Sequence, residues 1–387
     1  MKARRAFVVV LDACGAGELP DSADYGDAGA DTLVHVAAGA GGLRVPNLGM
    51  LGLGRVRDLR GVPPTNAPGA VHGRLHPLGP GKDTISGHWE LMGVVTPEPM
   101  RTYPDGFPDD VLDALRAAWG REVIGNVAAS GTEIIERLGE EMLATGRPIV
   151  YTSADSVLQI ATHVDVIPVP ELYRMCEQAR AIMTGEHAVG RVIARPFEGE
   201  PGRFRRTTRR HDYALTPPSR SYLDALQDAG VPTHSVGKVR DVFDGVGVDH
   251  AHRGATNPES IESLDALVRD LDGGLVFANL VDTDQRYGHR KDVEGFAGAL
   301  AEFDAALGRW LEVLDPARDL LVVTADHGVD PDHPGTDHTR EHVPLLARFE
   351  GHGGRHHDGP MADVGASCLA WLGGAPEPGI PGTSFTG

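Results

Sequence analysis

The chain has 387 residues, with 36 Lys and Arg against 55 Asp and Glu, a formal charge of −19, 41% apolar and 24% charged residues. That is the balance of a globular protein of two to three domains; it excludes a fibrous or wholly disordered chain and argues against nucleic-acid binding, which needs clustered positive charge. No apolar run approaches the roughly 18 residues of a membrane helix, the one behind the basic residues 1–5 stops at Asp12, and Cys14, Cys176 and Cys368 form no C-x-x-C pair, so a reduced, cytoplasmic setting with no membrane partner is expected.

The first predicted element is a strand, 6–11, ending in Asp12. Its run is continuously apolar, as suits a strand buried on both faces. The glycines that follow do not make a dinucleotide loop: Gly15, Gly17 and Pro20 give G-x-G-x-x-P, which lacks the third glycine and breaks the helix it should open. Residues 81–90, from Gly81 to Glu90, are dense in hydroxyls and charge. A hydroxyl held on divalent metal loses its proton easily, although Ser and Thr beside Gly also make ordinary turns. His88 and Trp89 in this segment read as packing residues near the site.

Helices are predicted at 109–119, 131–144, 170–184, 219–229 and 258–271, the second from a capping-box pattern, Ser130 to Glu133. Short strands are predicted at 149–152, 191–194 and 233–236. Pro97 and Pro99 on one side and Pro217 and Pro218 on the other bracket residues 98–216. The expected organisation is therefore a discontinuous core domain, 1–97 with 217–387, and an inserted domain, 98–216. Within the insert, residues 203–210 hold five arginines, mostly a solvated basic loop.

Two further apolar runs, 275–281 and 320–325, lead to Asp282, Asp284 and Asp326. Between them Val293, Phe296, Leu300, Phe303, Leu307, Trp310, Leu311 and Leu314 recur at helical spacing. Strand, helix, strand at this length reads as a βαβ unit with parallel, paired strands. The aspartates then emerge at one carboxyl edge of a sheet, where open α/β folds bind ligands. Asp326-His327 and, beyond a Gly-containing loop, His338 offer the carboxylate and imidazole donors that suit Zn²⁺ or Mn²⁺. Asp284 and His289 would face about 140° apart on an α-helix, so they can share an ion only in a tight turn, with Gly288 bending the chain.

The segment from Lys82 to Glu90 resembles the nucleophile motif of the phosphopentomutase family in the alkaline phosphatase superfamily. Asn279 to Arg290 resembles that family's second motif and Thr324 to Glu341 its third; the likeness covers the whole chain. Departures are small: Ser86 where threonine is commoner, Val329, and the Thr283–Arg286 stretch. The resemblance implies an alkaline-phosphatase-like α/β core with a mostly parallel central sheet flanked by helices, and an inserted α/β cap domain. It implies Thr84 as the phosphorylated nucleophile, bridging two ions, generally Mn²⁺. One ion would be held by Asp12, Asp326 and His327, the other by Asp284, His289 and His338. Two such ions against three carboxylates leave about +1, an attractive site for a phosphate despite the global charge. Arg191, Arg206 and Lys238 would contact the distal phosphate, and Asp155 the sugar hydroxyls. The implied activity is interconversion of ribose 1-phosphate and ribose 5-phosphate, and the deoxyribose forms, activated by a sugar bisphosphate such as glucose 1,6-bisphosphate. A metal-dependent phosphatase or phosphodiesterase, a phosphoglycerate-mutase-like enzyme, and a non-catalytic sugar-phosphate or metal binder are the alternatives.

Overall fold

The computed structural model describes residues 3–153 and 156–387. They fall into two compact units, Met1–Pro99 with Pro217–Gly387, and Met100–Thr216. The first unit is an α/β structure on an 8-stranded sheet in the order His250–His252, Thr233–Val236, Gly274–Leu280, Arg5–Leu11, Asp319–Thr324, Val343–Arg348, Val71–His76, Gly359–Pro360. The first five run parallel; Val343–Arg348 is antiparallel to both its neighbours, so the sheet is mostly parallel. The three central strands are buried along their whole length. That is why their sequences are continuously apolar instead of alternating. The helix Asp363–Trp371 packs on Arg5–Leu11 and Asp319–Thr324, and Val293–Val313 packs on the helices Asn257–Asp270, Thr32–Gly39 and Pro46–Leu51.

One pairing differs from the strand–helix–strand reading. Gly274–Leu280 and Asp319–Thr324 are parallel but do not pair, because Arg5–Leu11 lies between them. The entry of Arg5–Leu11 is fixed by a buried bidentate ion pair: Arg5 Nε and Nη2 each lie 2.7 Å from an Asp319 carboxylate oxygen. The carboxyl ends of all three strands still reach one edge, with Leu11 opposite Leu280 and Val10 opposite Thr324.

The second unit carries a 6-stranded mixed sheet, Ile124–Ala128, Ile149–Thr152, Val157–His163, Arg191–Glu198 and Arg205–Arg206, with His211–Ala214 also paired to Arg191–Glu198. The helices Asp109–Trp119, Gly131–Thr145 and Val169–Ile182 supply apolar faces to a core of its own around Tyr151, Leu158, Leu172 and Phe197. At Ser130 only the forward half of the expected capping box forms, the side chain accepting from Glu133 N. A complete box occurs instead at Ser221 and Asp224; it starts the predicted 219–229 helix at Tyr222. Among the described residues no helix is long and apolar enough to cross a membrane.

Candidate active site

Each aspartate emerges at a strand end and is fixed by a different local device. After Asp12 the chain turns sharply through Ala13, whose φ of 65° lies in the left-handed region that L-residues rarely adopt. The turn lets Ala13 N donate to Asp326 Oδ1 at 3.2 Å, joining two strand ends. Asp284 lies in a π-helical turn, Thr283–Tyr287, followed by a 3₁₀ turn, Gly288–Arg290. Such wide turns recur at functional sites, and this one solves the spacing problem. It brings His289 Nε2 to 3.2 Å from Asp284 Oδ1, which an α-helix could not do.

The donors gather in two groups. Asp12, Asp326 and His327 form one, all buried; Asp284, His327 and His338 form the other. His327 Nε2 is 3.4 Å from both Asp12 Oδ1 and Asp326 Oδ2. His338 Nε2 is 3.6 Å from Asp284 Oδ1, and the His327 and His338 rings have centroids 4.1 Å apart. The first group matches the set expected from sequence. In the second, His327 stands among the clustered donors, while His289 borders the group through its contact with Asp284.

Thr84 opens the helix Thr84–Leu91, with Asp83 as its cap accepting from Ile85 N and Ser86 N. This places the hydroxyl at the positive end of the helix. Thr84 Oγ1 is 3.1 Å from His327 Nε2 and 3.1 Å from Lys238 Nζ. Lys238 also pairs with Asp12 Oδ2; expected from the resemblance at the distal phosphate, it stands instead beside the hydroxyl and the first donor group. The helix comes this close because residue 87 is glycine: a Cβ there would sit 2.2 Å from the carbonyl oxygen of Asp326.

The site's unpaired groups fit divalent cations. Asp12 Oδ1, Asp284 Oδ1 and Asp326 Oδ2 are buried without a hydrogen-bond partner. Buried carboxylate oxygens left this way are strongly destabilising unless a cation meets them. His289 Nδ1 faces the Thr336 carbonyl at 2.5 Å and His327 Nδ1 that of Gly328 at 3.2 Å. Each ring therefore donates backward and turns its Nε2 lone pair toward the carboxylates, the arrangement of metal-binding histidines. The electrostatics agree. Burial, then the neighbouring Asp326, pushes the Asp12 carboxyl well up. Burial also acts on Asp326, but His327, His88 and Lys238 more than offset it and hold that carboxyl well below the usual range. Asp284 is likewise held low against burial by His289, His338 and Lys238. Burial brings His327 down to about 4, so it is a neutral donor near neutral pH.

The other expected residues are placed as follows. Arg191 and Arg206 belong to the second unit: Arg191 Nη1 is 3.5 Å from Asp212, and Arg206 is exposed on a two-residue strand. Asp155 lies outside the described residues. Sequence reasoning gave no role to Glu341 or Asn279. Glu341 is buried and accepts from Thr32 N, Thr32 Oγ1, Gly17 N and Thr339 Oγ1 at 2.6–3.1 Å, tying the loop after Asp12 to the one carrying His338. Gly15 and Gly328 make room for it; a Cβ at either would fall 2.3 or 2.2 Å from its carboxylate. Asn279 bonds Asp12 from within a buried strand, and a lone amide in an apolar run was the legible clue.

The chain matches the metalloenzyme superfamily over residues 4–375. It is 50% identical to a phosphopentomutase of Symbiobacterium thermophilum, over 99% of this chain and 96% of that protein. It is 47% identical to a phosphopentomutase of Desulfitobacterium hafniense, over 99% of both chains. Among solved structures, a phosphoglycerate mutase of Leishmania mexicana, determined at low cobalt concentration, superposes with a TM-score of 0.50 at 13% identity, covering 99% of this chain and 98% of that one. That last likeness concerns the fold alone.

Proposed function

The chain belongs to the phosphopentomutase family, isomerases that act by phosphoryl transfer, and from that premise we propose that it interconverts ribose 1-phosphate and ribose 5-phosphate, with their deoxyribose forms, through a phosphothreonine at Thr84. The observation that carries the reading is a hydroxyl 3.1 Å from His327 Nε2, the one imidazole common to two clustered donor groups.

The first ion is assigned to Asp12, Asp326 and His327, and the second to Asp284, His338 and His289. Two Mn²⁺ ions held there would supply Lewis acidity to the phosphoryl transfer. Thr84 provides the oxygen that carries this group between half-reactions. The Thr84 Oγ1–P bond breaks as a P–O bond to the free hydroxyl of a pentose monophosphate forms, and that hydroxyl's proton ends on Thr84 Oγ1. The resulting bisphosphate returns its other phosphoryl group to Thr84, so phosphate is conserved over the cycle. Lys238 Nζ, beside Thr84 Oγ1, offsets negative charge on the group being transferred. Arg191 and Arg206 are proposed to hold the phosphate that stays on the sugar, guanidinium forks being suited to it. Asp155 is proposed to accept from the sugar hydroxyls. A nucleophile that must start phosphorylated explains a requirement for a bisphosphate activator such as glucose 1,6-bisphosphate.

The test is to incubate the protein with ribose 5-phosphate, Mn²⁺ and glucose 1,6-bisphosphate and follow phosphorus NMR. Ribose 1-phosphate should accumulate to equilibrium with little inorganic phosphate. Release of inorganic phosphate as the main product would make the protein a hydrolase instead.

A further inference from the structure

Between the two carboxylates of the first donor group runs a line of polar contacts that the phosphoryl chemistry does not use. Its two members, Asn279 and His88, have no exposed surface. Asn279 Nδ2 stands 3.1 Å from Asp12 Oδ2 and 3.1 Å from His88 Nε2. On the far side of the ring, His88 Nδ1 is 2.9 Å from the Thr84 carbonyl oxygen and 3.1 Å from Asp326 Oδ2. The proton positions follow from what each group can do. Asp12 Oδ2 already accepts from Lys238 Nζ, so the amide nitrogen, not its oxygen, faces it. The second amide hydrogen needs an acceptor, so His88 Nε2 carries the lone pair and Nδ1 the hydrogen. The Nδ1–H then faces the Thr84 carbonyl and Asp326 Oδ2 together.

This arrangement is not what stability alone would select. Asn279 Oδ1 is left buried with no partner, a group whose desolvation is unrepaid. A leucine would fill the same place in an otherwise apolar strand without that penalty.

We propose that Asn279 and His88 are positioning residues, a bridge that holds the Asp12 and Asp326 carboxylates so that Asp12 Oδ1 and Asp326 Oδ2 converge on one divalent cation beside Thr84. The proposal rests on the metal reading above and narrows it to one donor group. Asp284 and His338 share no hydrogen bond with the bridge. Because His88 also grips the Thr84 carbonyl, the bridge sets the helix that carries the hydroxyl by the same contact that sets the ligand.

The experiment is a two-site Mn²⁺ titration by calorimetry on the full-length protein, with thermal melting in EDTA beside it. Asn279→Leu should weaken one Mn²⁺ site by about 10- to 100-fold, as loss of such outer partners does. The other site should stay within about threefold of wild type, and metal-free melting should be equal or higher, which a merely structural role would not produce. Should Asn279→Leu fail to fold, His88→Asn and His88→Gln probe the same bridge. Asn keeps a donor near the Nδ1 position and loses the acceptor for Asn279; Gln does the reverse, and each should weaken the same single site. Unchanged affinity at both sites overturns the proposal. So does a joint loss of both sites with metal-free stability, which would make the pair a fold element only. A wild-type protein that binds no Mn²⁺ overturns the metal reading itself, and the bridge with it.

Discussion

At the scale of single residues, the proposed chemistry centres on one oxygen and the donors around it. Thr84→Ala should lower mutase turnover by at least about 10³-fold, the order seen when a nucleophile is deleted. Calorimetry should still find Mn²⁺ bound, and mass spectrometry should find no phosphorylation after treatment with the bisphosphate; a phosphorylated, active variant would remove Thr84 from the mechanism. His338→Ala should weaken the ion assigned to Asp284 while the Asp12 and Asp326 site persists, read as two ions falling to one after dialysis. The aspartates were legible in the sequence because each terminates an apolar run. The sharing of His327 was not, since it depends on a loop that returns His338 to within 4.1 Å of it, ring to ring. Glu341 was hidden for the same reason: its value lies in glycines at 15 and 328, which nothing local relates to it.

At the scale of elements, close approach matters more than propensity. Gly87→Ala improves the local helix former but drives a Cβ into the Asp326 carbonyl. The helix Thr84–Leu91 must then back away, and kcat should fall by more than about tenfold with Mn²⁺ still bound. Small displacements of reacting groups have effects of this size. Gly298→Ala is the control: it lies in the helix Val293–Val313 with nothing within 4 Å of the added carbon. It should stabilise the protein by about 0.5–1 kcal/mol in urea unfolding and leave turnover alone. Sequence patterns placed helices such as Asp109–Trp119 and Val293–Val313 but not the shorter Thr32–Gly39, Pro46–Leu51, Thr84–Leu91 and Asp363–Trp371. They did not reveal the π-helical turn at Thr283–Tyr287, because a single wide turn leaves no repeat to read. Nor could they order the sheet: which strand lies between two others is decided by burial on both sides, a property of the assembled fold.

At the scale of the molecule, charge and proton uptake set the conditions for stability. His234 faces His250 and His252, with its Nδ1 3.0 Å from His252 Nε2 and the His250 ring stacked 4.6 Å away; Asp249 is the nearby acid. Burial, then these two neighbours, lowers its pKa to about 4 from the usual 6.5. Between those values the unfolded chain takes a proton that the folded one refuses, so stability falls as pH drops through that window and is regained above it. Melting of the metal-free protein should decline from pH 7 to pH 5, and His234→Gln should flatten part of that slope; an identical slope would exclude this histidine as a source. The order of synthesis adds a last constraint. Arg5–Leu11 leaves the ribosome well before the partners on both its sides, Gly274–Leu280 and Asp319–Thr324. An apolar strand must therefore wait until those partners are made, at roughly 5–20 residues per second, before they can cover it. Nascent chains of this protein are expected to lean on chaperones, and a fragment stopped short of the last third should aggregate instead of folding in part.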